Sequence, residues 1–469
     1  MSLAEIRENF DAAAAGTRMY ELIEQLYPIC RSITGDGVRR TLEILRRKIP
    51  LTIYEVPSGT QVLDWTIPRE WNIRGAYIKD PQGKKVLDFA RSNLYVVGYS
   101  TPIHGKFTLE ELKTHLQSLP EHPDWIPYRT SYYVENWGFC LPHRELLGWK
   151  PGEYEVCIDS SLEPGALTYG ELCLPGETGE TILLSCHVCH PSLCNDNLSG
   201  ISLLTHLAEH LASVPLRHSY VFLFVPGTIG SIAWLSRNRS RLSSIAHGLV
   251  VTNVGDAGSC HYKKSRRGEA EIDRAAAHVL RHADPDCRIL DFSPYGYDER
   301  QFCSPGFDLP VGVFSRSVHG TFPEYHTSAD DLDFVRPEYL ADSYSKCLAI
   351  LHVLEENRTY INRFPFGEPQ LGKRGLYRKM GGQNQPLADE LAMLWVLNLS
   401  DGRHSLLDIA ERSGLEFHVA ASQAKRLLER GLLLEHTRAS RPKHNAGMAP
   451  IHSQKQSRAR SRKRSLKGA

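Results

Sequence analysis

The twenty residues from Thr181 to Gly200, Thr-Ile-Leu-Leu-Ser-Cys-His-Val-Cys-His-Pro-Ser-Leu-Cys-Asn-Asp-Asn-Leu-Ser-Gly, constrain this chain most. The apolar run Thr181 to Leu184 follows Gly179 and reads as a strand buried on both faces. His187, His190 and Asp196 follow within ten residues. Ser199 is placed to cap a helix whose apolar face carries Leu203, Leu204, Leu207 and Leu211. Two imidazoles and a carboxylate thus gather where a buried strand gives way to a helix, the place where open α/β sheets bind ligands. Neutral imidazole and ionised carboxylate are also the side chains that hold Zn²⁺.

A strand ending in His, followed by Asp-Asn-x-Ser-Gly opening a helix, resembles the core motif of the M28 zinc aminopeptidases. The longer His187-x-Cys-His-Pro…Asn195-Asp-Asn-Leu-Ser-Gly200 resembles the DUF4910 aminopeptidase-like branch, with its inserted DUF2172 domain and C-terminal winged helix. Further stretches carry the same likeness. They are Cys30-Arg-Ser-Ile-Thr-Gly-Asp-Gly37, Val56-Pro-Ser-Gly-Thr-Gln-Val-Leu-Asp-Trp65, Tyr297-Asp-Glu-Arg-Gln-Phe-Cys-Ser-Pro-Gly306 and Glu324-Tyr-His-Thr-Ser-Ala-Asp-Asp331. The likeness extends over about residues 1–437.

The 469 residues suffice for two or three domains. The near balance of 55 basic and 54 acidic side chains hides an asymmetry. Ten Lys and Arg follow Thr437 with no acid among them, leaving the first 437 residues with 45 basic against 54 acidic. Eleven cysteines, an odd number without framework spacing, point to reduced thiols. The first ten residues lack the basic and apolar pattern of an export signal, and no apolar run is long enough to span a membrane. A cytoplasmic protein is the expectation.

Periodicity divides the chain. Helical spacing marks Met19, Leu22, Ile23 and Leu26, and again Val38, Leu42 and Leu45. From Tyr54 to Trp149 short alternating runs, including Trp71–Ile78 and Leu94–Val97, are separated by Pro and Gly, with one helix expected over Leu109–Leu119. A hairpin is expected from Glu155–Ile158 and Leu167–Cys173. Strands at 220–225, 248–254 and 311–314 then alternate with helical segments. The fold expected is α/β: a mostly parallel mixed sheet with helices on both faces, an inserted β-rich domain and a C-terminal winged helix-turn-helix. Its parts are an aminopeptidase-like domain (1–53 and 151–364), the insert (54–150), a linker (365–383), the winged helix (384–437) and a disordered basic tail (438–469). The third helix of the winged module offers Gln423, Lys425, Arg426 and Arg430 to a duplex, but the module's many acids make docking or structure the preferred role and nucleic acid an unlikely partner.

The resemblance implies metal ligands at His187, at the bridging Asp196 and at His326 in Tyr325-His-Thr-Ser. It also implies a cis peptide at Asp196-Asn197. His190 is either a ligand or a partner of one. A further metal carboxylate is expected near Asp256, with Asn253 competing for the position. Where the family has Glu-Glu, as ligand and general base, this chain has Pro226-Gly227-Thr228. One zinc is therefore expected rather than two, and the base must come from elsewhere. Glu299 and Glu324 rank equal as replacements, with Asp298 beside them, and each is alternatively an orienting partner for a ligand imidazole. Arg300 and Arg31 are candidates to contact a substrate carboxylate, against ordinary salt bridging. Cys186-His-Val-Cys-His190 also fits the c-type haem pattern, which is set aside because haem attachment requires export and these residues lie in a strand-to-helix turn. The expected activity is zinc-dependent hydrolysis of an amide bond in a small peptide or an aminoacylated biosynthetic intermediate. The alternative is an inactive binding or scaffold protein, and homo-oligomerisation stays open.

Overall fold

The computed structural model describes residues 11–376 and 388–436. The run that opens the motif becomes the strand Thr181–His187, and every one of its residues is buried. It lies inside an eight-stranded sheet. In chain order the strands are β1 (Thr52–Pro57), β2 (Ala166–Leu174), β3 (Thr181–His187), β4 (Ser219–Val225), β5 (Ile245–Val251), β6 (His261–Lys263), β7 (Arg288–Leu290) and β8 (Val311–Ser315). Their spatial order is β1-β2-β4-β3-β5-β8-β6-β7. The centre, β4-β3-β5-β8, is parallel, whereas β1 and β2 add an antiparallel edge.

Alternation along the central strands feeds two separate cores. Ile182, Leu184, Phe222 and Phe224 point into one, with Met19 and Leu22 of α1 (Ala12–Leu26), Val38 and Leu42 of α2 (Asp36–Arg46) and Leu203 and Leu207 of α3 (Gly200–Leu211). Leu183, Leu223, Val225 and Val250 point into the other, under Ile232 and Leu235 of α4 (Ile229–Arg237). The first core also takes Ile272 of α5 (Glu271–Ala283) and Leu348 and Leu351 of α6 (Pro337–Glu356). The fold class is thus α/β with helices on both faces.

The insert has its own four-stranded sheet, in the order Lys85–Asp88, Glu70–Lys79, Glu153–Glu163, Ile103–Thr108. The expected hairpin is not formed, because Glu153–Glu163 pairs within the insert while β2 pairs with β1 and β4. The change of sheet therefore falls after Pro57 and between Glu163 and Ala166, later than 54 and 151 on both sides. Leu94 and Tyr95 lie in a 3₁₀ turn instead of a strand, and the helix expected over Leu109–Leu119 stops at Lys113.

Helices α7 (Ala388–Leu399), α8 (Leu406–Ser413) and α9 (Phe417–Glu429) build the C-terminal module with a small sheet. The central strand of that sheet is Thr359–Asn362, upstream of the expected boundary. The module docks on the main body: Arg274 of α5 pairs with Asp408 and Glu411 of α8, and Leu407 N donates to Asn357 Oδ1 at 2.9 Å. Gln423 of α9 is buried, so it does not share the outer face with Lys425 and Arg430. Part of the expected linker and all of the basic tail lie outside the described residues. No helix among the described residues is long and apolar enough to cross a membrane.

One ion pair joins insert to body. Arg39 of α2 grips Glu70 with two parallel bonds of 2.7 and 2.6 Å and reaches Glu55 of β1 at 2.6 Å. Glu70 also accepts from Ala166 N, at the start of β2. The Arg39 guanidinium holds the Glu70 carboxyl down at about 2, from an ordinary 4.5. A depressed carboxyl stabilises the fold fully above its unfolded value and ceases to do so as pH falls through its folded value. Urea midpoints should therefore fall between about pH 4.5 and pH 2. Glu70→Gln should cost about 1–2 kcal/mol at pH 7, since the pair is only partly screened, and flatten that part of the pH profile.

Candidate functional site

The site is built at the carboxyl end of β3. His187 is the last residue of that strand, and its Nε2 lies 2.8 Å from Asp196 Oδ1. His326 Nε2 lies 2.9 Å from the other oxygen, Asp196 Oδ2. His190 Nε2 stands 3.9 Å from that same Oδ2. The ligand atoms of His187, His190 and Asp196 lie within 4.8 Å of one another. Asp196 is fully buried, which opposes its charge, yet the surrounding imidazoles of His190, His187 and His326 hold its carboxyl well below the usual range. Burial keeps His190 neutral, its pKa pushed well below 6.5.

Asp196 sits at a kink in the segment Cys194–Ser199 that precedes α3, where it and Asn197 depart from helical backbone angles. Its backbone N–H, with that of Asn195, donates to the carboxylate of Asp330. Ser199 has helical backbone angles and caps nothing. Its hydroxyl donates to Asn195 O at 2.7 Å and accepts from Val254 N at 3.1 Å, tying this segment to the loop after β5. Gly200 is required by close approach: a β-carbon there would lie 2.5 Å from Val251 O. The Asp196–Asn197 and Gly227–Thr228 peptides are both cis. His326 and Asn253 have φ of 57° and 50°, a region that non-glycine residues seldom enter and that concentrates at functional sites.

The structure sorts the remaining candidates. Asp256 is not turned to the imidazoles: Asn195 Nδ2, Gly258 N and Ser317 Oγ donate to its two oxygens. Asn253 faces the site in its place, donating to Tyr297 OH at 3.0 Å. Glu299 is ion-paired with Lys263 at 2.6 Å. Glu324 lies in a tight turn whose carbonyl accepts from Thr327, so the alternation of an extended chain does not apply to it. Arg31 is buried beneath the site and away from the rim; it donates to Leu26 O at 2.7 Å and to His190 O at 2.9 Å. Arg300 follows Glu299 in a four-residue helical turn, and its Nε is buried without a partner.

Asp298 is the carboxylate that the geometry singles out. It is fully buried, with Oδ1 accepting from Ser231 Oγ at 2.8 Å and Oδ2 without a hydrogen-bond partner. A β-carbon on Gly227 would lie 3.2 Å from His187 Cβ and 3.5 Å from Asp298 Oδ2. Asp298 thus stands beside the position from which a side chain of the missing Glu-Glu segment would project. Burial raises its pKa to about 6 against the opposing pull of His187.

Sequence reasoning passed over the aromatic wall. Tyr297 stacks on His187 at 4.9 Å and its hydroxyl lies 3.4 Å from Asp196 Oδ1. Tyr128, from the insert, contacts the rings of His190 and His326, each at 5.1 Å. Its N–H donates to His326 O at 2.8 Å, so the insert braces the His326 loop directly. Tyr128, Arg129, Thr130 and Tyr132 line a cleft of about 350 Å³ with His190, Gly227 and His326.

Comparison with known proteins gives the family and the fold. Residues 20–357 match the family model described as a domain of unknown function, DUF4910, and residues 358–435 match a winged helix-turn-helix. A Clostridium acetobutylicum protein, named for polysaccharide biosynthesis and an aminopeptidase-like domain, is 54% identical over 407 residues, covering 87% of this chain and 94% of that one. A crystal structure titled as a peptidase from Clostridium acetobutylicum superposes with a TM-score of 0.88 at 50% identity, over 92% of this chain and all of that one. A zinc aminopeptidase from Bacillus subtilis, at 12% identity and TM-score 0.53, shares the fold over 72% of this chain and 95% of its own. A peptidase M28 precursor from Shewanella amazonensis does so at 13% identity and TM-score 0.53, over 75% of this chain and 96% of its own. The chain belongs to the DUF4910 family, with an aminopeptidase-like fold joined to a C-terminal winged helix.

Proposed function

We propose that this protein is a zinc-dependent amide hydrolase acting on a small peptide or an aminoacylated biosynthetic intermediate. The observation that carries the reading is the Asp196 carboxylate, fully buried and offering one oxygen to His187 and the other to His326. Imidazole nitrogens around an ionised carboxylate are a fitting donor set for zinc, and His190 adds a further imidazole. His187, Asp196 and His326 would hold the metal. Bound there, zinc supplies a Lewis acid and acidifies water at neutral pH.

The chain's own groups have separable tasks. Asp298 Oδ2, buried and unpaired, is the acceptor for a proton from the attacking water, and Ser231 fixes its other oxygen. Of the three candidate carboxylates, Glu299, Glu324 and Asp298, this reading gives the proton transfer to Asp298. Tyr297 and Asp330 position Asp196, the one at its side chain and the other at its backbone. Tyr128 and Tyr132 narrow the entrance, which favours a small substrate, while Arg129 offers a cation to an anionic group on it. The name of the Clostridium relative favours an acylated intermediate of polysaccharide synthesis within this class.

The second reading, an inactive binding protein, draws on the missing Glu-Glu segment at Pro226-Gly227. Two measurements separate them. Zinc content should fall by one equivalent per chain in each of His187→Ala, Asp196→Ala and His326→Ala; unchanged content would end the hydrolase reading. In a screen of aminoacyl amides and N-acyl amino sugars, Asp298→Asn should lower kcat about 10²- to 10⁴-fold with zinc content intact. Activity undiminished in Asp298→Asn would remove it as the base, and no turnover by the zinc-loaded wild type would leave the binding protein.

A further inference from the structure

The other end of the same strands carries a second gathering of metal-type ligands. Glu180 immediately precedes β3, His218 immediately precedes β4, and His247 lies in β5. Strand register brings them together. Thr181 pairs with Ser219 of β4, and the Glu180 carbonyl accepts from Ser219 N at 3.0 Å. On the other side Thr181 pairs with Ile245 but Ile182 with His247, so β5 bulges at Ala246 and advances His247 by one position. Paired residues of parallel strands share a face, and so do residues two apart. Ile182 is paired with both Tyr220 and His247, which puts Glu180, His218 and His247 on one face of the sheet.

The imidazoles are poised as ligands. His218 Nε2 faces Leu354 O at 3.2 Å, at the end of α6, and a carbonyl can only accept. The proton of the neutral ring is thereby fixed on Nε2, and Nδ1 carries a lone pair. That Nδ1 is buried without a hydrogen-bond partner and lies 3.6 Å from Glu180 Oε2. His247 Nδ1 is likewise buried and unpartnered. The rings are 5.6 Å apart and perpendicular, and one ligand atom from each of the three residues lies within 4.8 Å of the others. Burial lowers the pKa of His218 to about 3 and that of His247 to about 4, so both rings are neutral at physiological pH. The neighbouring cation, Arg217, spends its Nη1 on the carbonyls of Leu354, Glu355 and Asn357. Two buried ring nitrogens without partners are costly, that of His218 carrying a lone pair, and a bound ion is one of the few arrangements that satisfies both.

We infer that Glu180, His218 and His247 form a second divalent-metal site, suited to zinc or an ion of the same borderline character. Two imidazoles and a carboxylate leave a fourth position, and Glu180, whose side chain is 59% exposed, opens it to solvent. The site lies about 20 Å from the cleft, one strand length away. It clamps three central strands, so metal bound there stabilises the fold. The inference stands apart from the proposed hydrolase activity.

The test titrates chelator-stripped full-length protein with Zn²⁺ alone, in a His187→Ala/His326→Ala background that removes the cleft ligands. One equivalent should bind and raise Tm. Adding Glu180→Ala, a change at an exposed position, should weaken that binding by at least about tenfold, the least that removing even an outer partner costs. Failure of the background protein to bind zinc, or equal binding with and without Glu180→Ala, would overturn the inference. Anomalous scattering at the zinc edge from wild-type crystals gives an independent answer: a peak bonded to both Nδ1 atoms supports the site, and its absence from zinc-soaked crystals overturns it. A wild type that fills this site but takes no zinc in the cleft would count against the hydrolase reading and leave this inference untouched.

Discussion

A single buried charge organises the cleft. An ionised carboxylate cannot stay out of water unless cations, hydrogen-bond donors or a metal surround it. Asp196 meets that requirement with side chains drawn from four places in the chain. His187 arrives from a strand end, His190 from the following turn, Tyr297 from a distant loop and His326 from a turn braced by the insert. Its backbone is held by Asp330, which in turn anchors Asn195, and Asn195 ties down Asp256 and Gly255. Asp256 is therefore a structural link that fixes the loop after β5, although its sequence position invited a metal role. The insert is bound into the same arrangement through Tyr128, which explains how a separate sheet can shape a cleft formed by the main one.

The middle of the sheet was legible because buried parallel strands are continuous apolar runs, and because the strand-to-helix turn carries its own motif. The resemblance named His187 and Asp196 from that motif and His326 from Tyr325-His-Thr-Ser, and the structure brings the three together. What could not be read was anything set by long-range packing. Glu153–Glu163 and β2 look like neighbours in sequence, yet the first pairs within the insert and the second pairs across the insertion with β1. Glu299 and Glu324 were reasonable carboxylates, but the first is neutralised by Lys263 and the second is turned by a tight bend. Arg31 looked like a rim residue because arginine is seldom buried. Here two carbonyls, Leu26 O and His190 O, receive its donors. Glu180, His218 and His247 form no motif at all, since a bulge and two register relations decide their meeting.

The sheet thus serves as a frame with chemistry at both ends. Loops at the carboxyl ends of the parallel strands can vary without disturbing the pairing beneath them, which is why this end commonly binds substrates. At the amino ends the same three strands bring in Glu180, His218 and His247, pinned by pairing and by the end of α6. The two ends accordingly differ in character. The cleft is walled by aromatic rings from the insert and from Tyr297, whereas the opposite cluster packs against the end of α6.

Gly227 and Asp298 show how such a frame permits rearrangement of its chemistry. A β-carbon at 227 would lie 3.5 Å from Asp298 Oδ2, in ordinary contact, so a carboxylate on this turn and the Asp298 carboxylate would be neighbours. The segment after β4 and the 297–299 loop thus approach the same place beside His187, and in this chain the loop carries a carboxylate there. Ser231 supports that choice: it lies in α4, directly after the Pro226-Gly227-Thr228 turn, and donates to the carboxylate that the turn itself does not supply. Loss of a glutamate pair in the sequence is consequently not equivalent to loss of negative charge in the cleft. In the proposed reaction Asp298 supplies that carboxylate near His187, its Oδ2 being without a hydrogen-bond partner.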